Sequence, residues 1–173
     1  MIDYARIRAM LPHGHPMVLV DRVVSIEPGR SLVAVKAISG SDACYASVPA
    51  WAESEQYAYP TSLMLESFGQ AAAILWMLSE KDGAAISDSL LLLAAIRNCR
   101  VHGEAFPGDV LRHTVRLDHP VGDNIMVTGD IWIGERQIAT VDSMIAAVRP
   151  RAALEVQWTA AAAASAPSVL SVG

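Results

Sequence analysis

The chain has 173 residues, of which 53% are hydrophobic, and a formal net charge of −5. This acidic balance, without a basic cluster that carries interleaved aromatic residues, argues against general nucleic-acid binding. Its apolar runs are shorter than the roughly 18 residues that span a bilayer, and its first residues lack the basic-then-apolar pattern of a secretion signal.

The two cysteines, Cys44 and Cys99, form neither a disulfide framework nor a zinc-binding pattern. They favour free thiols in a reducing compartment. We therefore expect a soluble, cytoplasmic protein with no metal site and no membrane contact. The high apolar content favours an oligomer.

At this length, one domain of about 150 residues with a tail is the expected organisation. The domain is predicted over residues 1–150. An Ala-rich tail is predicted over residues 151–173, disordered or extended, or ordered only by a neighbouring surface. Ala160–Ala164 could form a helix, but a short isolated run is marginal in water.

The N-terminal part predicts a short helix, a β-hairpin and a long loop. Apolar residues in Ile2–Leu11 favour a lid helix. Pro16–Ile26 and Ser31–Ile38 are rich in strand-forming residues and flank the turn Glu27–Arg30, which holds a Pro-Gly pair. Ser39–Tyr59 has no periodicity, and an unstructured connection of this length is usually a lid or a binding loop.

A long apolar helix is predicted from Pro60 to Leu78. Its apolar residues occupy almost every angular direction, which indicates burial on most sides. Ser62, Glu66 and Gln70 recur at i, i+4 and i+8 and share one ridge. A carboxylate there is costly unless it is paired, hydrogen-bonded or neutralised by a raised pKa, which makes Glu66 a candidate site acid. A Glu66 held by Gln70 at a packed or dimeric interface is an equally favoured alternative.

Gly83 is expected to end this helix. Three or four long strands follow, within Leu90–Val101, Val110–Leu117, Ile125–Ile133 and Arg136–Val148. Tight turns are predicted at Pro107–Asp109 and Gly134–Glu135. One long buried helix and a lid helix, with five or six strands around them, predict an α+β fold in which an antiparallel sheet wraps one helix.

Three short motifs carry a resemblance to a known family. They are Leu11–His13 followed by Pro16–Val23, then Leu63–Glu66 with Gln70, then Pro107–Leu111. In this order they resemble the hot-dog-fold 3-hydroxyacyl-acyl-carrier-protein dehydratases of type II fatty acid synthesis, over essentially the whole domain. The resemblance implies a dimeric hot-dog domain that needs no cofactor, because the substrate is carried on the phosphopantetheine of an acyl carrier protein.

In that family, a histidine in a His-Phe-Pro loop removes the α-proton, and a Glu or Asp on the central helix protonates the departing 3-hydroxyl. A backbone amide at the helix N-terminus polarises the thioester carbonyl. The resemblance implies that Glu66 is the catalytic acid here. Ala46–Pro49 stands where Gly-His-Phe-Pro is expected, so Ser47 replaces the histidine. Thr61 stands where the family has the glycine whose backbone amide contacts the thioester carbonyl. A serine without a neighbouring base cannot replace an imidazole near neutral pH.

Residues around these positions are expected to contact the substrate: Ser47, Tyr59, Thr61, Ser62 and Gln70. Trp51 and Tyr57 in the lengthened loop, together with Tyr59, are expected either to reshape the tunnel mouth or to pack it.

The remaining histidines have no assigned catalytic role. His13 lies in the Leu-Pro-His motif, where a structural role is favoured over a catalytic one, as it is for His15. His102 and His113 fall on strand or turn positions and are expected at the surface or at an interface. His119 lies in a loop.

The favoured function is dehydration of substrates on an acyl carrier protein, by this chain alone or in a pair. Dimers of the family build each site across the subunit boundary. A chain that keeps Glu66 and lacks the loop histidine therefore suits a mixed dimer whose hot-dog partner supplies the base, as in dehydratase-like proteins of aryl polyene and other polyketide pathways. Homodimer and heterodimer both stay open.

Two other functions remain as alternatives. One is an acyl-thioester hydrolase that uses Glu66 as base or nucleophile, and the other is a non-catalytic acyl-binding subunit. An acidic carrier protein would need a local basic patch, for which Arg97, Arg100 and Arg112 are candidates, although scattered surface arginines are the commoner explanation.

Overall fold

The structure is a computed structural model that describes residues 1–80, 89–118 and 124–150. The predicted helix terminator Gly83, the loop residue His119 and the Ala-rich tail of residues 151–173 lie outside the described residues. Within the described ranges, no helix is both long enough and apolar enough to cross a membrane.

The described chain folds into two α-helices and one antiparallel sheet. The helices are α1 (Tyr4–Met10) and α2 (Thr61–Ser79). The strands are β1 (Arg22–Glu27), β2 (Ser31–Ala37), β3 (Ser89–Val101), β4 (Val110–Leu117), β5 (Asn124–Ile133) and β6 (Arg136–Pro150). Their order across the sheet is β1-β2-β4-β5-β6-β3, with every neighbouring pair antiparallel. The predicted α+β fold, with six strands and one long helix, is confirmed.

Helix α2 is the centre of the core and packs against β2 and β4. Its apolar residues are buried on most sides, with Phe68, Ile74 and Leu75 completely enclosed. On the sheet, burial alternates along β2 and β4, so that Leu32 and Leu111 lie on the covered face. The helix therefore forms because the sheet covers it, as its nearly uniform apolar surface predicted.

The predicted first strand is wrong in its N-terminal half. Pro16–Ile26 was expected to be extended and paired, but β1 begins only at Arg22. The Met17 carbonyl and the Leu19 amide bond to the side chain of Gln70, and the Met17 amide donates to the Gly14 carbonyl, instead of pairing with a neighbouring strand. Because these polar groups are already satisfied, this apolar segment packs against α2 without joining the sheet.

The long loop of residues 39–59 is confirmed as irregular, apart from two single-turn 3₁₀ helices at Ala43–Tyr45 and Ser54–Tyr57. The hydroxyl of Tyr57 donates to the Pro49 carbonyl over 3.3 Å, which ties the loop to itself. Trp51 is largely exposed at its tip. Cys44 and Cys99 are both unpaired thiols.

The expectation that His113 lies at the surface or at an interface is wrong. It is fully buried on β4, with Nε2 2.9 Å from the Ser67 hydroxyl of α2 and its ring edge-on to Phe68. Ser67 donates its hydrogen to the Met64 carbonyl at 2.9 Å, so His113 is the donor in the shared bond. Burial lowers the pKa of His113 to about 3, which keeps the ring neutral at physiological pH.

We expect this buried ring to make stability depend on pH. The unfolded chain binds a proton at the ordinary histidine pKa of 6.5, whereas folded His113 binds one only near 3. Because the unfolded state holds more protons between these values, the free energy of unfolding should fall as the pH is lowered across this window. His113→Met, which is apolar and similar in size, should remove this part of the dependence. Urea unfolding at a series of pH values measures it.

The exposed His102 offers a matched control, because His102→Met should leave the pH dependence of the wild type in place. An unchanged dependence in His113→Met would show that the buried ring does not resist protonation.

Candidate active site

The side chain of Glu66 lies in the second turn of α2, beside the N-terminal segment. One of its oxygens, Oε1, lies 3.2 Å from Nε2 of His13, and each of the two side chains is about one-third exposed. The same oxygen accepts a hydrogen bond of 3.0 Å from Nε2 of Gln70, one turn further along the helix. The ridge of Glu66 and Gln70 predicted from their spacing is therefore present.

Gln70 holds the N-terminal segment against α2. Its amide is buried, with the oxygen accepting from the Leu19 amide at 2.8 Å and the nitrogen donating to the Met17 carbonyl at 2.7 Å. Together with the bond to Glu66, both donor hydrogens of the amide are in use. The segment that carries His13 is thus fixed to the same side chain that orients the carboxylate.

The backbone of His13 is held independently, because its carbonyl accepts a hydrogen bond of 2.9 Å from the guanidinium of Arg8. Arg8 lies in the last turn of α1, which the side chain of Asp3 caps by accepting from the Arg6 amide. The other ring nitrogen of His13, Nδ1, is buried and has no hydrogen-bond partner among the described residues.

The environment lowers the pKa of Glu66 below its usual value of 4.5. Hydrogen bonding from His13 is the largest cause; burial acts in the opposite direction, and the bond from Gln70 adds to the lowering. The sequence left three ways to tolerate a carboxylate on this helix: pairing, hydrogen bonding or a raised pKa. The structure shows the first two, and the pKa of Glu66 is lowered instead of raised. Glu66 is an ionised group at neutral pH.

Glu66, His13 and Gln70 are the polar residues on the wall of a mainly apolar cavity of about 250 Å³. Small residues of α2 leave this space open toward β5 and β6. The main lining residues are Gly69, Ala72 and Ala73 on the helix, with Ile125, Val127 and Met144 on the sheet. A carboxylate at the edge of an apolar cavity can bind and act on a ligand with a hydrocarbon chain.

The residues expected to contact substrate do not all meet in this chain. Gln70 lines the cavity beside Glu66. Tyr59 and Thr61 line a different cavity at the N-terminus of α2, in which His102 also stands. Ser62 and Ser47 are exposed, and neither borders the Glu66 cavity. The roles of these residues stay predictions.

The three arginines proposed as a basic patch lie in different settings. Arg100 forms an ion pair of 3.0 Å with Asp142, and the guanidinium of Arg112 lies 5.5 Å from the centre of the Trp132 ring. Arg97 is exposed on β3. Two of the candidates are thus engaged with their own sheet.

The contact between His13 and Glu66 is the feature that the sequence did not reveal. The two residues are 53 positions apart, and the Leu-Pro-His motif favoured a structural histidine. One signal in the sequence could have indicated it. Gln70 shares a ridge of the apolar helix with Glu66, and a buried amide there needs hydrogen-bond partners from another segment.

Two comparisons by sequence identify the same family. A family model described as a FabA-like domain matches residues 11–142. The curated 3-hydroxyacyl-acyl-carrier-protein dehydratase FabZ of Actinobacillus pleuropneumoniae is 31% identical over 147 residues, which is 84% of this chain and 91% of that protein.

Solved structures share the fold at lower identity. The dehydratase heterocomplex ApeI:P from Xenorhabdus doucetiae matches with a TM-score of 0.69 and 19% identity, over 88% of this chain and 96% of that one. A thioesterase superfamily member from Thermus thermophilus matches with a TM-score of 0.58 and 14% identity, over 80% and 94% of the two chains. At such identities these two matches establish the common fold alone.

We expect Gln70→Leu to destabilise the chain, because it leaves the buried Leu19 amide and the part-buried Met17 carbonyl without their partner. An unsatisfied buried group costs about 1–3 kcal/mol, so the free energy of unfolding should fall by about this amount through the Leu19 amide. Urea unfolding measures this loss. Hydrogen exchange at the Leu19 amide should accelerate in the same variant.

The exposed Gln56 provides the control, since it makes one hydrogen bond at the surface of the loop. Gln56→Leu should cost less than about 1 kcal/mol. Equal losses in the two variants would mean that Gln70 does not hold the segment.

Proposed function

Since this chain belongs to the FabA-like family of hot-dog dehydratases, we propose that it removes water from 3-hydroxyacyl chains carried on an acyl carrier protein. The observation that carries the proposal is the ionisable pair at the mouth of an apolar cavity, Glu66 with His13. A relative with 31% identity over most of both chains is a dehydratase by name and acts on such substrates.

The cavity suits the substrate class. The hydrocarbon part of an acyl chain would lie between the small residues of α2 and the apolar faces of β5 and β6, which removes it from water. Its C2 and C3 atoms would then stand beside the carboxylate of Glu66. No cofactor is required in this proposal, because the thioester on the phosphopantetheine arm already activates the C2 proton.

A second hot-dog chain is part of the proposal. Strand β3 pairs with β6 on one side, and along its other side the described residues provide no partner strand. An unpaired edge of 13 residues is a template for another strand. The partner is either a second copy of this chain or a related subunit that carries the loop histidine. The name of the similar Xenorhabdus doucetiae structure, a heterocomplex of dehydratase subunits, supports a mixed pair.

The domain boundaries stay part of the proposal. We assign the hot-dog domain to residues 1–150 and treat residues 151–173 as a tail. Polyketide or polyene synthesis is proposed as one setting, beside fatty acid synthesis, because the expected catalytic loop carries Ser47 where the family has its histidine.

Glu66→Gln should abolish dehydration while leaving the fold intact. The amide keeps the shape of the side chain but cannot accept or deliver a proton, and general acid–base catalysis of this kind contributes about 10²–10⁴-fold. The assay follows formation of the 2-enoyl product from a 3-hydroxybutyryl chain on acyl carrier protein, with purified chain alone and with any co-purifying hot-dog partner. Circular dichroism and urea unfolding check the fold.

Glu55→Gln is the matched control, since Glu55 is exposed in the loop of residues 39–59. Its turnover should equal that of the wild type. Undiminished turnover in Glu66→Gln would remove Glu66 from the chemistry. Release of free thiol from acyl thioesters by the wild type, without enoyl product, would assign the chain to the hydrolases instead.

A further inference from the structure

We propose that Glu66 performs both proton transfers of the dehydration by itself, and that His13 is a positioning residue that holds the carboxylate. The inference rests on the proposed function and names the group that moves each proton. It differs from the sequence-based assignment, in which Glu66 is only the acid and a partner histidine is the base.

The two oxygens of the carboxylate have different surroundings. Oε1 faces both His13 Nε2, at 3.2 Å, and Gln70 Nε2, at 3.0 Å. No described residue donates a hydrogen bond to Oε2. Since Glu66 lines the cavity and is about one-third exposed, Oε2 is the oxygen left for a substrate. Oε1 therefore holds the carboxylate in place through His13 and Gln70, and Oε2 transfers the protons.

The ring of His13 is suited to donating rather than to shuttling protons. Its Nδ1 is buried with no partner among the described residues, so a hydrogen on Nδ1 would be a buried, unpaired donor. Because the ionised Oε1 of Glu66 can only accept, the tautomer with its hydrogen on Nε2 is the one that bonds to it, and Nδ1 is then an unpaired acceptor. In this form His13 has no lone pair directed at the carboxylate or at the substrate beside it, so it is not placed to take the C2 proton.

The carboxylate starts in the form that a base requires. Donors on Oε1 favour the charged state, and the lowered pKa of Glu66 has the same origin. The two neighbours also restrict the rotation of the carboxylate, which keeps Oε2 directed away from them. Preorganised donors of this kind are worth more in an apolar cavity than in water.

The protons balance in two steps. Oε2 first takes the C2 proton of the thioester, and the electron pair of the C–H bond moves into the enolate of the thioester carbonyl. The neutral carboxylic acid then gives the same proton to the 3-hydroxyl oxygen as the C3–O bond breaks, the enolate collapses to the 2-enoyl product, and water leaves. The carboxylate is regenerated, and C2 and C3 are adjacent carbons, so one oxygen can serve both.

The missing loop histidine then has a simple consequence. The base that Ser47 cannot supply is not needed, because the group on α2 supplies it. The partner subunit, whichever chain it is, completes the walls around the substrate and contributes no proton-transfer group.

The test compares two substitutions of His13 in the purified full chain. His13→Gln keeps an N–H donor for Oε1, so dehydration of a 3-hydroxybutyryl chain on acyl carrier protein should stay within about tenfold of the wild type. His13→Leu removes the donor, so dehydration should fall further. Its acidic pH limb should move to higher pH, because Glu66 loses the contact that lowers its pKa and becomes protonated sooner as the pH falls. The described groups that act on this pKa are His13 and Gln70.

A second measurement isolates the first step. A saturated butyryl thioester has a C2 proton and no leaving group, so deuterium uptake at C2 from heavy water reports proton removal alone. The wild type and His13→Gln should catalyse this uptake, and Glu66→Gln should not. His15→Leu is the control for both assays, because the exposed His15 does not line the Glu66 cavity.

The outcomes separate the inference from the function it rests on. Loss of activity in His13→Gln as complete as in Glu66→Gln would make His13 a proton-transfer group and overturn the inference. Dehydration by the wild type only after a histidine-bearing partner is added would also overturn it, while leaving the proposed function in place. Absence of enoyl product under both conditions would overturn the proposed function itself.

Discussion

The hydrogen bonds of one buried amide hold the site together. Gln70 joins the N-terminal segment to α2 through the Leu19 amide and the Met17 carbonyl, and it reaches Glu66 with its remaining hydrogen. A buried amide is stable only when its donors and acceptor are matched, so the fold around it has little freedom. The helix, the segment and the carboxylate are therefore positioned by a single side chain.

This arrangement explains why a carboxylate is tolerated on an apolar helix. Two donors meet Oε1 of Glu66, and one-third of the side chain stays exposed at the cavity, so the charge is neither isolated nor fully desolvated. The same donors lower the pKa of Glu66, whereas burial acts in the opposite direction. The contacts that make the residue structurally acceptable are thus the contacts that keep its carboxylate charged.

The sequence predicted what depends on local pattern. Helix α2 and the strands β4 and β5 begin and end within one or two residues of their expected limits, because apolar periodicity and turn residues determine them. The prediction of the first strand failed at Pro16–Leu19, because the side chain of Gln70 bonds to the backbone there in place of a neighbouring strand. The sequence prediction also failed for His113, whose burial depends on Ser67 from α2, a contact across 46 positions that no local pattern contains.

The functional residues were also predicted only where they depend on local sequence pattern. The ridge of α2 identified Glu66 and Gln70, since residues one turn apart must be neighbours. The family resemblance then directed attention to the loop, where Ser47 is exposed and is not among the residues that line the Glu66 cavity of this chain. The group that contacts Glu66 comes instead from His13, in a segment whose position is set by tertiary hydrogen bonds. The absence of a histidine from one loop says nothing about the hydrogen-bond donors that another segment provides. An acid–base site therefore has to be judged by the groups that surround each oxygen of its carboxylate.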